Sequence, residues 1–134
     1  MSLLDLNLEN TPDLEGASEG EHTVTIVSMG KYEGKNSGKT SLKVTLKIAD
    51  QPNTYNLDTY LGLPQEGDEK DKADAKRRGI KGFCKCFDIS IAMFEECYIS
   101  GDYTPLSGLQ GWVLVKNEEF EGQERPKISR FIAK

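Results

Sequence analysis

Over residues 42–48 apolar and polar side chains alternate without a break: Leu42, Val44, Leu46 and Ile48 take one parity, Lys43, Thr45 and Lys47 the other. A strict period of two buries one set and exposes the other, so this is the clearest strand in the chain. An earlier strand starts at His22 with Thr23-Val24-Thr25-Ile26-Val27 and runs toward Tyr32. Its alternation slips between Ile26 and Val27, which predicts a bend or a bulge. After the turn Asp50-Gln51-Pro52-Asn53 comes a third strand, with Tyr55, Leu57 and Leu61 on one face and Asn56, Asp58 and Tyr60 on the other. Residues 111–116 and 127–132 read as two more strands, joined by a loop over 118–125 with Gly122 at its tip.

Past Pro64 the period changes. Asp68-Glu69-Lys70-Asp71 is an acidic helix opening, favourable at the positive end of a helix dipole. Ile80, Phe83, Cys84 and Phe87 follow the i, i+3, i+4, i+7 spacing of a buried helical stripe, although Gly79 and Gly82 weaken it. Ile91, Phe94 and Tyr98 predict a second short helix, and 101–108, with Pro105, a connector. The expected fold class is therefore all-β with one or two helices. Five strands with a helix between the third and fourth is the order of the five-stranded OB-fold barrel.

Charge sharpens the organisation. The 134 residues carry 17 Lys+Arg against 22 Asp+Glu, a formal net charge of -5, which argues at first against a polyanionic partner. Residues 1–21, however, hold Asp5, Glu9, Asp13, Glu15, Glu19 and Glu21 and no Lys or Arg, so the remainder is close to neutral. This divides the chain into an acidic, leucine-bearing N-terminal arm at 1–21 and an OB-fold domain at 22–134. With 37% apolar and 29% charged residues the domain has enough material for one core. No apolar run approaches the ~20 residues of a membrane span, and no secretory leader is visible, so a cytoplasmic protein without membrane contact is expected.

Little in the sequence speaks for catalysis. Gly34-Lys35-Asn36-Ser37-Gly38-Lys39-Thr40 approaches a phosphate-binding loop but has three residues between its glycines where four are needed. It also feeds an alternating strand, not a helix N-terminus. Cys84, Cys86 and Cys97 with His22, the only histidine, could be read as a zinc set, but no CxxC pair is present, and free buried thiols are the better reading. No G-x-S-x-G or H-E-x-x-H occurs. The expectation is a protein without catalytic residues, metal or cofactor.

The basic and aromatic residues gather where an OB-type groove would lie. Lys43 and Lys47 occupy the exposed face of the second strand and Tyr60 that of the third. Lys31, Tyr32, Lys35 and Lys39 belong to the first hairpin, and Lys116, Phe120, Arg125 and Lys127 to the last. Arg77 and Lys81 add a cluster on the helix, and Trp112 could stack on a base or pack on the barrel. Cations for phosphates beside rings for bases are what sequence-neutral single-strand binding requires.

Glu19-Gly20-Glu21-His22 leading into the first strand, Ser37-Gly38-Lys39 before the alternating second strand, the polar helix after strand three and Leu109-Gln110-Gly111-Trp112 opening strand four carry a resemblance. Over about residues 20–131 the chain resembles the bacteriophage OB-fold single-stranded DNA-binding proteins. The resemblance implies a sequence-independent binder supporting phage DNA replication or recombination in the cytoplasm of an infected cell. Single-stranded DNA would be its partner, with replication or recombination enzymes and a second copy of the chain as further ones. Many such proteins carry an acidic C-terminal tail that recruits enzymes. Here Phe131-Ile132-Ala133-Lys134 follows directly on a strand, so either the arm at 1–21 takes that role or the tail is absent from this sequence. The alternative reading is a non-catalytic protein-interaction module whose acidic arm docks on a partner.

Overall fold

The computed structural model describes residues 13–33 and 40–133. Five strands, β1 (Gly20–Glu33), β2 (Thr40–Ile48), β3 (Leu57–Gly62), β4 (Gln110–Phe120) and β5 (Gln123–Ile132), form one antiparallel sheet in the order β3-β2-β1-β4-β5. Helices α1 (Lys70–Phe87) and α2 (Ile91–Ser100) lie in the chain between β3 and β4. The sheet is open: among the described residues no ladder joins its edge strands β3 and β5.

β1 is long because it serves two neighbours. Its first half pairs with β4, from Gly20 opposite Val115 to Thr25 opposite Gln110, and its second half with β2, from Val24 opposite Ile48 to Glu33 opposite Thr40. The change of partner coincides with a register shift between Ile26 and Ser28. Such a bulge bends the strand and increases its twist, which curls the sheet around its apolar face. The extra backbone groups are satisfied locally: Ile26 N–H donates to the Leu109 carbonyl at 2.9 Å, Gly108 N–H to the Ile26 carbonyl at 2.8 Å, and the Ser107 hydroxyl to the Val27 carbonyl at 3.0 Å.

The enclosed face of the sheet carries Val24, Ile26, Leu42, Val44, Leu46, Ile48, Val113 and Val115, all almost fully buried. α1 covers it. Phe83 sits between Phe87 at 4.9 Å, Phe131 at 5.3 Å and Phe94 at 6.4 Å, ring centroid to centroid, so α1, α2 and β5 meet on one aromatic cluster. Approach of α1 to β4 depends on Gly111, where a Cβ would lie 2.8 Å from Cys86 Sγ and 3.0 Å from the Phe87 ring.

Two local differences from the sequence reading have simple causes. The expected loop over 118–125 is instead a continuous hairpin, because Glu121 (φ 51°) and Gly122 (φ 78°) make a two-residue turn whose twist matches the flanking strands. Asp68, expected inside the helix opening, precedes it: its carboxylate accepts from Gln65 N–H at 2.9 Å and Lys76 Nζ at 2.8 Å, tying the start of α1 to its second turn.

The described part of the acidic arm is packed on the domain. Glu15 N–H donates to the Asn53 carbonyl at 2.9 Å, Tyr55 N–H donates to the Glu15 carbonyl at 3.0 Å, and Ala17 is buried. Gly16 lies against the Pro126 ring.

Candidate nucleic-acid interface

Residues directly opposite in a ladder share a face, so the register of β1, β2 and β3 defines rows on the outer surface. One row is Gly30, Lys43 and Tyr60; the next is Tyr32, Ser41 and Gly62. Gly30, Ser41 and Gly62 are small, and over this low surface Tyr32 and Tyr60 lean toward each other across β2. Their ring centroids are 5.2 Å apart with planes tilted by 51°. Both rings remain open, Tyr32 at 43% and Tyr60 at 49% exposure. A pair of tyrosines left this uncovered on a strand surface offers a face for a planar, apolar partner.

The third row, Ser28, Thr45 and Asp58, supplies the electrostatics. Asp58 accepts the Thr45 hydroxyl at 2.7 Å and lies 3.6 Å from Lys43 Nζ. Lys43 and Asp58 are both well hydrated, so their attraction is weak and an incoming anion can compete for the lysine. Lys47 lies four residues along β2 from Lys43 on the same face.

Between β3 and the β4–β5 hairpin runs a groove of about 600 Å³ lined by Asp58, Tyr60, Glu118, Arg125 and Lys127. Lys127 lies 3.3 Å from Glu118 and opposite Lys116 in the ladder. A second hollow of about 550 Å³ continues from Tyr60 and Lys127 along the seam between β3 and β5, where α1 presents Lys72, Ala75, Lys76 and Gly79. Ala75 and Gly79 leave room at the seam, and the Lys76 ammonium turns toward Asp68.

The structure thus brings together Tyr32, Lys43, Tyr60, Arg125 and Lys127, with Lys47 two residue pairs farther along β2 and Lys116 beside Lys127 on β4. It sets four other expected residues apart. Lys31 stands opposite Leu42, which faces the buried Leu61, so it occupies the core-side row; its ammonium lies 5.1 Å from the Tyr98 ring centroid on α2. Neighbours in a strand point to opposite faces, which separates Lys31 from Tyr32. Arg77 and Lys81 line a different groove, between α1 and α2. Trp112, opposite Thr23 and Ile132, is on the outer face of β4, roughly 20 Å along β1 from the Tyr60 row. Lys35, Lys39 and the side chain of Phe120 lie outside the described residues.

Two arrangements escaped the sequence reading, although Lys76, in the basic run 76–78 of the helix, and His22 stand out in it. Lys72 and Lys76 reach the seam through their i, i+4 spacing, with Ala75 and Gly79 on the same helix face. His22, 6% exposed, joins Asp50 and Ser18: Nδ1 lies 2.7 Å from Asp50 Oδ1, Nε2 2.7 Å from the Ser18 carbonyl and 3.4 Å from its hydroxyl. The trio superficially resembles a hydrolase triad. A carbonyl only accepts, so Nε2 must donate to it and has no lone pair for the Ser18 hydroxyl. The histidine instead clamps the arm onto the β2–β3 turn.

Burial pushes the thiols of Cys84 and Cys86 up, and that of Cys97 likewise, which keeps them protonated and weakly nucleophilic. Among the described residues no three His, Cys, Asp or Glu side chains are grouped to hold a metal ion, and no helix is long and apolar enough to cross a membrane. No protein-family model matches the chain, and no curated protein sequence matches it.

Proposed function

We propose that the protein binds single-stranded DNA without sequence preference and without chemistry, and supports replication or recombination of a bacteriophage genome, as its resemblance to phage single-stranded DNA-binding proteins implies. In this reading the five-stranded sheet is an OB-type barrel parted along the β3–β5 seam, and the strand lies across β2 and β3 toward the β4–β5 hairpin. The observation that carries the proposal is the half-exposed Tyr32–Tyr60 pair beside Lys43. Unpaired bases stack on the rings, each stacked base contributing about 1–3 kcal/mol. Phosphates meet Lys43, Lys47, Arg125 and Lys127, while Asp58 and Glu118 hold two of these cations in place until an anion replaces them. Stacking requires free base faces, which a duplex hides, so single strands are preferred.

Fluorescence-anisotropy titration of a labelled oligonucleotide tests the reading. Single strands of different sequence bind alike and duplex binds much more weakly. With about four phosphates neutralised, log Kd changes against log salt with a slope near 3 in magnitude. Equal binding of duplex, or no binding at low salt, refutes the proposal.

A further inference from the structure

A second concave surface lies on the helical side, and the DNA reading makes no use of it. Leu63 and Pro64, leaving β3, join Ile80 of α1 and Ile91, Phe94 and Tyr98 of α2 around a groove of about 460 Å³. On α2 only Phe94 and Cys97 are buried, while Ile91 is 52% and Tyr98 40% exposed. Contiguous uncovered apolar surface of this kind marks a docking site. Its rim carries three cations and two acids: Arg77, paired with Asp74 at 3.0 Å, and Lys81 line the groove, the Lys31 ammonium sits against the Tyr98 ring, and Glu95 is an opposing charge.

The chain itself contains a segment of matching chemistry. Residues 1–12 precede the described part and carry Leu3, Leu4, Leu6 and Leu8 interleaved with Asp5 and Glu9, with no Lys or Arg. Leucines suit the apolar floor and a carboxylate suits the Arg77–Lys81 rim. Reach is sufficient. The chain is fastened at Glu15 beside the β2–β3 turn, and from that turn β3 runs six residues, about 20 Å, to the mouth of the groove at Leu63. The nine residue steps from Glu15 back to Leu6 span about 30 Å when extended. We propose that Leu3, Leu4 and Leu6 of the chain's own N-terminal segment dock in the α1–α2 groove, with Asp5 facing Arg77 and Lys81. The short tether holds the segment at an effective concentration on the order of millimolar, so a weak contact suffices.

The test uses the full-length chain. Leu3→Ser, Leu4→Ser and Leu6→Ser are combined in one variant, and Ile91→Asp is made as the reciprocal change. Ile91 opens α2, where an acid agrees with the helix dipole, so this variant keeps its fold. Hydrogen exchange of α2 amides and sedimentation are measured for both variants and the wild type. Docking in cis predicts that both variants exchange roughly tenfold faster or more in α2, the equivalent of one buried leucine lost, with a monomeric mass throughout. Unchanged α2 exchange in the leucine variant overturns the proposal and leaves the groove to a different protein. Faster exchange that accompanies conversion of a dimer to a monomer also overturns it, and assigns the groove to the segment of a second copy.

Discussion

Among the described residues a tyrosine stands beside a lysine both on the sheet and on α2, and the two settings differ in everything else. Tyr60 stands on β3 next to Lys43 on β2, among Thr45, Asp58 and the second ring of Tyr32. Tyr98 stands on α2 under Lys31, among Ile91, Phe94 and Leu63. In the first setting the ring is the apolar spot on a hydrated, charged surface, suited to a flat base whose phosphates remain in water beside cations. In the second it is one wall of an apolar groove, suited to aliphatic side chains that leave water altogether. Tyrosine and lysine do not by themselves specify a nucleic-acid site; the surroundings decide what each pair can hold.

The largest expected effect comes from removing what both surfaces rest on. Phe83 joins α1, α2 and β5, and Phe83→Ala should cost about 3–5 kcal/mol of stability, measured by denaturant unfolding, with loss of both surfaces. The comparison itself is broken or sharpened by the two tyrosines. Tyr60→Ala weakens single-strand binding by about 1–3 kcal/mol, between roughly fivefold and somewhat over a hundredfold, with the melting midpoint nearly unchanged. Tyr98→Ala leaves oligonucleotide affinity as it was. Equal losses from both would erase the distinction. A smaller effect has the opposite sign: Asp58→Asn releases Lys43 and removes a like charge from the phosphate path, tightening binding by up to about fivefold.

The smallest effect belongs to neither surface. The Lys76 ammonium, then the Gln65 N–H, hold the Asp68 carboxyl below its ordinary range. A depressed carboxyl stabilises the fold above its unfolded value and loses that contribution as pH falls through the folded one. Asp68→Asn is therefore slightly less stable than wild type at neutral pH, and thermal melts show the gap closing below about pH 4.

Much of the sheet was legible because its residues obey one period. Leu42 to Ile48 alternate, and the slip at Ile26 marks the bulge. The aromatic stripe of α1 was equally plain, since Phe83 and Phe87 lie one turn apart. Register was not legible, and the site depends on it. The faces of Lys31 and Tyr32 follow from which residues of β2 they oppose, a long-range match that no local spacing encodes. The hairpin turn was missed because Glu121 adopts a positive φ that its residue type does not announce. The bridge from Glu15 to Thr54 joins segments far apart in sequence.

The account is tested most directly by the amide chemical-shift map of the isotope-labelled protein titrated with a single-stranded oligonucleotide. Tyr32, Lys43, Tyr60 and Lys127 should move together and saturate at one stoichiometry, while Ile80, Ile91 and Tyr98 stay in place. Perturbation centred on the α1–α2 groove, or spread evenly over every lysine, would contradict it.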